Sequence, residues 1–213
     1  IMRLDGRRRS DNVDDRRRVS GKSIAAGGGI VGANVAVIIT LMSGGDIGTA
    51  ISNAASQGLG GGGSYREDVE DETDAYVFDL SSKVFAGTED VWREEFRKNG
   101  WGEYREPKLV IYKDAVQTGC GQGTAQTGPF YCSADQTVYI DLDFFRDMQS
   151  TIGGGGDFAY AYVIAHEVGH HVQYLLGTLD DAHNQMARLS ETDANKISVR
   201  LELQADYYAG VWA

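Results

Sequence analysis

The alternation of apolar and polar positions changes character along the chain. Residues 3–23 are almost wholly polar, with runs of arginine among serines and aspartates. Ile24 to Met42 carries no charge, and residues 43–64 are rich in Gly, Ser, Ala and Asn. From about Tyr65 onward the pattern becomes that of a folded domain. Tyr76, Val77, Leu80, Val84 and Phe85 recur at helical spacing between Asp71 and Ala86. Thr88 is placed to cap a second helix holding Val91, Trp92 and Phe96, which Asn99-Gly100 would stop. Leu109–Tyr112 and Thr137–Asp141 read as short strands, separated by a glycine-rich loop that runs from Gly119 to Cys132. Asp143 to Thr151 reads as a short helix. After the glycines at 153–156, Asp157 can cap a helix from Phe158 to Leu176, and Gly177 ends it. Residues 178–189 read as a connection with one helical turn. Ser190 or Thr192 opens a last helix that runs to Ala213. The expectation is an α+β domain over 65–213, mostly helical with a small β-sheet. The chain stops inside a helix, so this domain is expected to be cut short at its C-terminal end.

Charge gives the N-terminal third its reading. Residues 1–23 hold eight Arg or Lys against four Asp, whereas the chain as a whole has a formal net charge of −11. An acidic body argues against a nucleic-acid partner. The basic stretch 1–23 therefore reads as a disordered arm. Ile24–Met42 would span about 28 Å as a helix at ~1.5 Å per residue, close to the thickness of a bilayer core. Basic residues precede this segment, and the next one after it is Arg66. By the positive-inside rule this is a single-pass transmembrane helix with a cytoplasmic N-terminus and an extracytoplasmic domain. Residues 43–64 would be the tether. In that compartment Cys120 and Cys132 would form a disulfide pinning the glycine-rich loop; two free thiols are the alternative.

The chemistry concentrates in His166-Glu167-Val168-Gly169-His170-His171, an H-E-x-x-H pattern inside the helix after Asp157. Residues four apart share one helical face, so His166 and His170 can reach the same ion. Glu167 projects to one side of that pair, where it can serve as general base for the attacking water. Gly169 would let another segment approach closely. Catalytic zinc takes three protein ligands and keeps one position open. Glu202, in a downstream helix, supplies the third, and Asp206, one turn on, can accept a ring N–H from a ligand histidine. The surrounding Leu201, Leu203, Ala205, Tyr207, Tyr208, Val211 and Trp212 make that helix look largely buried. His171 follows His170 directly and so points about 100° away around the helix, which removes it as a ligand. His183 is expected in a surface loop.

With these blocks in view, the chain resembles the bacterial membrane-anchored neutral zinc metallopeptidases. The resemblance is carried by Met2–Arg8, Gly128-Pro129-Phe130-Tyr131-Cys132, Val138–Leu142, His166–Gln173 and Arg200–Asp206. Ser133 stands where that family often has proline. The resemblance implies a gluzincin-like fold with a glutamate third ligand, a Zn2+ cofactor, peptide or protein substrates and endopeptidase chemistry, with Glu167 catalytic. It also implies that a group stabilising the oxyanion lies beyond Ala213. The strand at 137–141 reads equally as an edge strand to which an extended substrate could add and as a plain structural strand. The rival reading is a membrane-anchored binding or scaffolding protein with a structural or vestigial zinc site.

Overall fold

The computed structural model describes residues 4–17, 72–124, 127–152 and 156–213. In chain order these are β1 (Val13–Asp15), α1 (Glu72–Asn99), β2 (Lys108–Tyr112), β3 (Ala115–Thr118), β4 (Gly121–Thr124), β5 (Phe130–Cys132), β6 (Thr137–Asp141), α2 (Asp143–Ile152), α3 (Gly156–Leu175), α4 (Thr178–Met186) and α5 (Glu191–Trp212). The fold is α+β, mostly helical with a small sheet. The stretch Ile24–Met42 and the linker 43–64 lie outside the described residues. Among the described residues no helix is long and apolar enough to cross a membrane.

The main sheet has the order β1-β2-β6-β5. β1, β2 and β6 run parallel, and β5 is antiparallel to β6. Leu109–Tyr112 of β2 and Val138–Ile140 of β6 are continuous apolar runs because both faces of these strands are covered. Leu109, Ile111, Val138 and Ile140 face the helical core with Val84, Phe85, Trp92, Ile164 and Val168. The alternate residues Val110, Tyr112 and Tyr139 face a second cluster with Val116, Phe130 and Cys132. That second layer comes from the glycine-rich stretch, which forms the β3–β4 hairpin and β5 rather than a plain loop. The Cys120–Cys132 disulfide ties the hairpin turn to the end of β5. β6 lies between β2 and β5. It is therefore an internal strand and cannot accept an added substrate strand at 137–141; the edge near α3 is β5.

Two helical boundaries differ from expectation. α1 is one helix of 28 residues rather than two. Thr88 does not cap a new start, because its hydroxyl donates to the Phe85 carbonyl within the helix at 2.7 Å. Gly87 lies against α5: a Cβ at that position would sit 3.2 Å from Trp212 Nε1. Residues 178–186 form the helix α4 rather than a single turn. Of the two candidate caps, Ser190 opens α5, its side chain accepting from the Asp193 N–H. Gly177 ends α3 in the left-handed region at φ 78°.

The arm is the larger correction. Residues 4–17 do not form a disordered tail but close one side of the domain. β1 pairs with β2, Leu109 N donates to Asn12 O at 2.9 Å, and Arg16 N donates to Ile111 O at 2.8 Å. The reason is Glu89, a carboxylate on α1 that is only 1% exposed. Arg8 reaches it at 2.7 Å, Asn12 Nδ2 at 2.9 Å, and the Ser10 hydroxyl donates to it as well. A buried carboxylate needs such partners. Arg17 lies over the Phe78 ring at 4.6 Å. The basic residues of the arm are partly counter-charges for α1, which composition alone does not show.

Candidate metal centre

α3 and α5 build the site by crossing at two small residues, Gly169 and Ala205. A Cβ on Gly169 would lie 2.9 Å from the Ala205 carbonyl oxygen and 3.1 Å from its Cα. Only glycine on α3, against alanine on α5, permits that approach. It brings Glu202, one turn before Ala205, to the two histidines of α3. Glu202 Oε2 lies 3.2 Å from His166 Nε2 and 3.5 Å from His170 Nε2. One donor atom from each of the three falls within 4.8 Å of the others, a spacing that could hold a metal ion. α5 is not buried all round, as its apolar content suggests. Glu202, Ala205, Tyr208 and Ala209 form its inner stripe, while Leu203, Tyr207 and Val211 are exposed.

The far side of each ring is fixed. His166 Nδ1 lies 2.8 Å from Asp206 Oδ1, which also accepts from the Tyr162 hydroxyl at 2.8 Å. His170 Nδ1 lies 2.9 Å from Gln173 Oε1. The amide of Gln173 is oriented in turn, since its Nε2 donates to the Leu201 carbonyl at 2.7 Å. Both Nδ1 atoms therefore carry a proton, which leaves the two Nε2 atoms as the ones that would turn a lone pair to an ion in the shared space. Gln173 and Tyr162 were given no role by sequence reasoning. Gln173 stands one turn from His170 and is fully buried, but only tertiary packing shows what satisfies it.

Glu167 is 2% exposed and lies outside this three-atom set. Burial raises its carboxyl above the usual range, while His170 and His166 act in the opposite direction. Burial also raises Glu202, but its hydrogen bonds to His166 and His170 prevail and hold it down at about 2. Burial lowers His166, and the carboxylates of Asp206 and Glu202 outweigh it and push the ring up to about 10. His171 is turned away toward β5, and His183 is exposed on α4, outside the cluster.

An H-E-x-x-H helix with a glutamate from a second helix defines the class of metal site. The chain belongs to the family described as "Putative neutral zinc metallopeptidase", whose model matches residues 2–213. It is 44% identical over 217 residues to the uncharacterized protein YpfJ of Escherichia coli (strain K12), covering 99% of this chain and 74% of that one. It is 48% identical over 111 residues to the uncharacterized protein Rv2575 of Mycobacterium tuberculosis (strain H37Rv), covering 52% of this chain and 36% of that one. No solved structure matches the chain.

Proposed function

We propose that the protein is a zinc-dependent peptidase in which His166, His170 and Glu202 hold the ion and Glu167 is the general base. The observation that carries this reading is the donor set: two imidazole Nε2 atoms and a carboxylate converge, with both Nδ1 protons already committed to Asp206 and Gln173. Two nitrogens and one carboxylate oxygen suit zinc and leave a coordination position open. Zinc held there supplies Lewis acidity and lowers the pKa of a water toward about 7. Glu167 takes the proton of the attacking water and passes it to the leaving amine. A carboxyl raised by burial suits a group that must both accept and release that proton. Asp206 and Gln173 keep the ligand rings in their tautomer and orientation throughout.

A scaffolding protein with structural zinc would close the fourth position with protein. Among the described residues the cluster offers three ligand atoms, and a buried Glu167 beside them has no use in such a site. The test uses metal content and hydrolysis of a casein-type substrate. Glu167→Gln keeps its zinc and loses hydrolysis by about two to four orders of magnitude. Glu202→Ala loses the metal. Equal zinc in the wild type and Glu202→Ala, or full activity in Glu167→Gln, would overturn the assignment.

The Cys120–Cys132 disulfide supports a location outside the reducing cytosol. The pairing of β1 with β2 supports placing residues 4–17 on the same side as the domain. A single crossing at 24–42 with the arm left in the cytoplasm would separate these two strands, so the single-pass arrangement expected from charge asymmetry is not the one we propose. With the outer envelope opened, a membrane-impermeant maleimide should label Arg7→Cys and Asp181→Cys alike. Labelling at 181 alone would restore the single crossing, and labelling at neither would place the domain in the cytosol.

A further inference from the structure

The two ligand histidines are held by different chemistry. His166 Nδ1 meets a carboxylate, Asp206, which lies on the opposite helix α5. His170 Nδ1 meets a neutral amide, Gln173, which lies on α3 itself, three residues further on. Orienting a ring takes one acceptor, and a carboxylate is the stronger one. An amide is weaker, but it brings two N–H donors, and Gln173 turns these away from its own helix. Its Nε2 donates to the Leu201 carbonyl at 2.7 Å and lies 3.1 Å from Gln204 Oε1, both on α5. The Leu201 carbonyl can only accept, so it fixes which end of the amide faces it and leaves Oε1 for His170. Gln173 is fully buried, and both polar atoms of its carboxamide are bonded to protein.

The carbonyl carbon of Leu201 is bonded to the nitrogen of Glu202, so the group that Gln173 holds is the peptide unit that carries the third ligand. Gly169 and Ala205 set how closely the helices approach, but one point of contact leaves the crossing free to pivot. Among the described residues, and apart from the contacts of Glu202 with the two rings, two residues make the side-chain hydrogen bonds between α3 and α5. Asp206 bonds to Tyr162 and His166, before Gly169, and Gln173 bonds to Leu201 and Gln204, after it. Asp206 therefore ties α5 to the first histidine, and Gln173 ties it to the second. Leu201 also packs on Leu179 and Ala182, which seats this turn of α5 on α4 but makes no link to the ring.

We propose that Gln173 is a positioning residue for Glu202: one carboxamide ties the His170 ring to the Leu201–Glu202 peptide and so sets the spacing of the second and third ligands across the two helices. This rests on the reading of His166, His170 and Glu202 as the ligand set. It accounts for an amide at a place where a carboxylate would hold the ring as well but could not donate to α5.

Zinc affinity of the full chain, measured by competition with a chelator, separates this tie from simple orientation of a ring. Gln173→Met keeps the length of the side chain and removes its hydrogen bonds. It should weaken zinc binding about 10–100-fold, the range for residues that hold a ligand in place. In the Glu202→Ala background, titrated to millimolar zinc, the residual pair of histidines should lose no more than about threefold on the same substitution, because there is no third ligand left to place. Equal losses in the two backgrounds would mean that Gln173 serves the His170 ring alone and would overturn the proposal. So would undiminished affinity in Gln173→Met. A second readout needs neither metal nor a variant. In the zinc-free wild type labelled with 15N and 13C, a scalar coupling across the hydrogen bond should join Gln173 Nε2 to the Leu201 carbonyl carbon, and its absence would remove the tie. A wild type that binds no zinc would sink the ligand set and this role with it, whereas zinc bound with equal losses in the two backgrounds would sink this role alone.

Discussion

The crossing of α3 and α5 and the docking of the N-terminal arm on α1 solve the same physical problem by different means. Each buries a carboxylate beside cationic or protonatable partners. At the crossing, Glu202 meets His166 and His170; at the arm, Glu89 meets Arg8, Ser10 and Asn12. In the first case the partners are one helical turn apart on a single element, and the pairing element has its own turn-spaced carboxylates, Glu202 and Asp206. In the second case the partners lie in an extended segment some eighty residues away along the chain. The first arrangement is written in local periodicity, and the second exists only once α1 and the sheet have formed. The candidate metal ligands are therefore brought together by α3 and α5, whereas the arm makes its contacts with α1 and the sheet.

That contrast explains what was legible in the sequence. The pairing of His166 with His170 follows from their spacing of four along a helix, and the place of Glu167 to one side of that pair follows from its adjacency to His166. Glu202 and Asp206 follow from the same rule applied to α5, and Gly169 was readable as a point of close approach. Gln173 and Tyr162 were not, because their partners, the Leu201 carbonyl and Asp206, come from another helix. The break expected before Thr88 failed for a related reason: the Thr88 hydroxyl bonds back to the Phe85 carbonyl within the helix, and Gly87 faces Trp212 of another helix. β5 was hidden in a glycine-rich stretch, since a strand of three residues has too few positions to show alternation. The arm was misread because arginine runs in an exposed tail and arginines paired to a buried acid have the same composition. β1 has only Val13 as an apolar residue to betray it.

The largest effect that sharpens the comparison is removal of the arm. Deleting residues 1–17 strips Glu89 of its Arg8, Ser10 and Asn12 partners and bares the edge of β2. Leaving one buried charge uncompensated costs about 3–5 kcal/mol. Arg93 remains within 3.8 Å of Glu89 and recovers part of that. Chemical denaturation should show a loss of about 2–5 kcal/mol, with the three ligands still able to bind one zinc per chain in the fraction that stays folded. Glu89→Gln in the truncated chain should restore part of the loss, since a neutral amide is cheaper to bury unpaired. A truncated chain as stable as the full one would mean that the arm is an accessory, and it would remove the argument that both sides of 24–42 share a compartment.

The smaller effect lies at the crossing and tests the other half of the contrast. Gly169→Ala adds a single methyl group that would meet the Ala205 backbone at 2.9 Å. Helix propensity alone favours alanine by about 1 kcal/mol, so the substitution should stabilise an isolated α3. Against that, the contacting atoms are backbone and cannot turn aside; the two helices must separate by a few tenths of an ångström or more. Overpacking of this kind costs about 1–3 kcal/mol, which leaves a net destabilisation of up to about 2 kcal/mol. The sharper signature is in the metal. Glu202 reaches the site only because α5 lies this close, so zinc affinity should fall about 10–100-fold, the range seen when ligand positioning is disturbed. A competition titration against a chelator measures it directly. Ala205→Gly in the same chain removes a facing methyl group but not the backbone atoms that clash, so it should recover little of the lost affinity. Zinc affinity unchanged in Gly169→Ala would show that the helices have slack at the crossing and that the metal site does not depend on it.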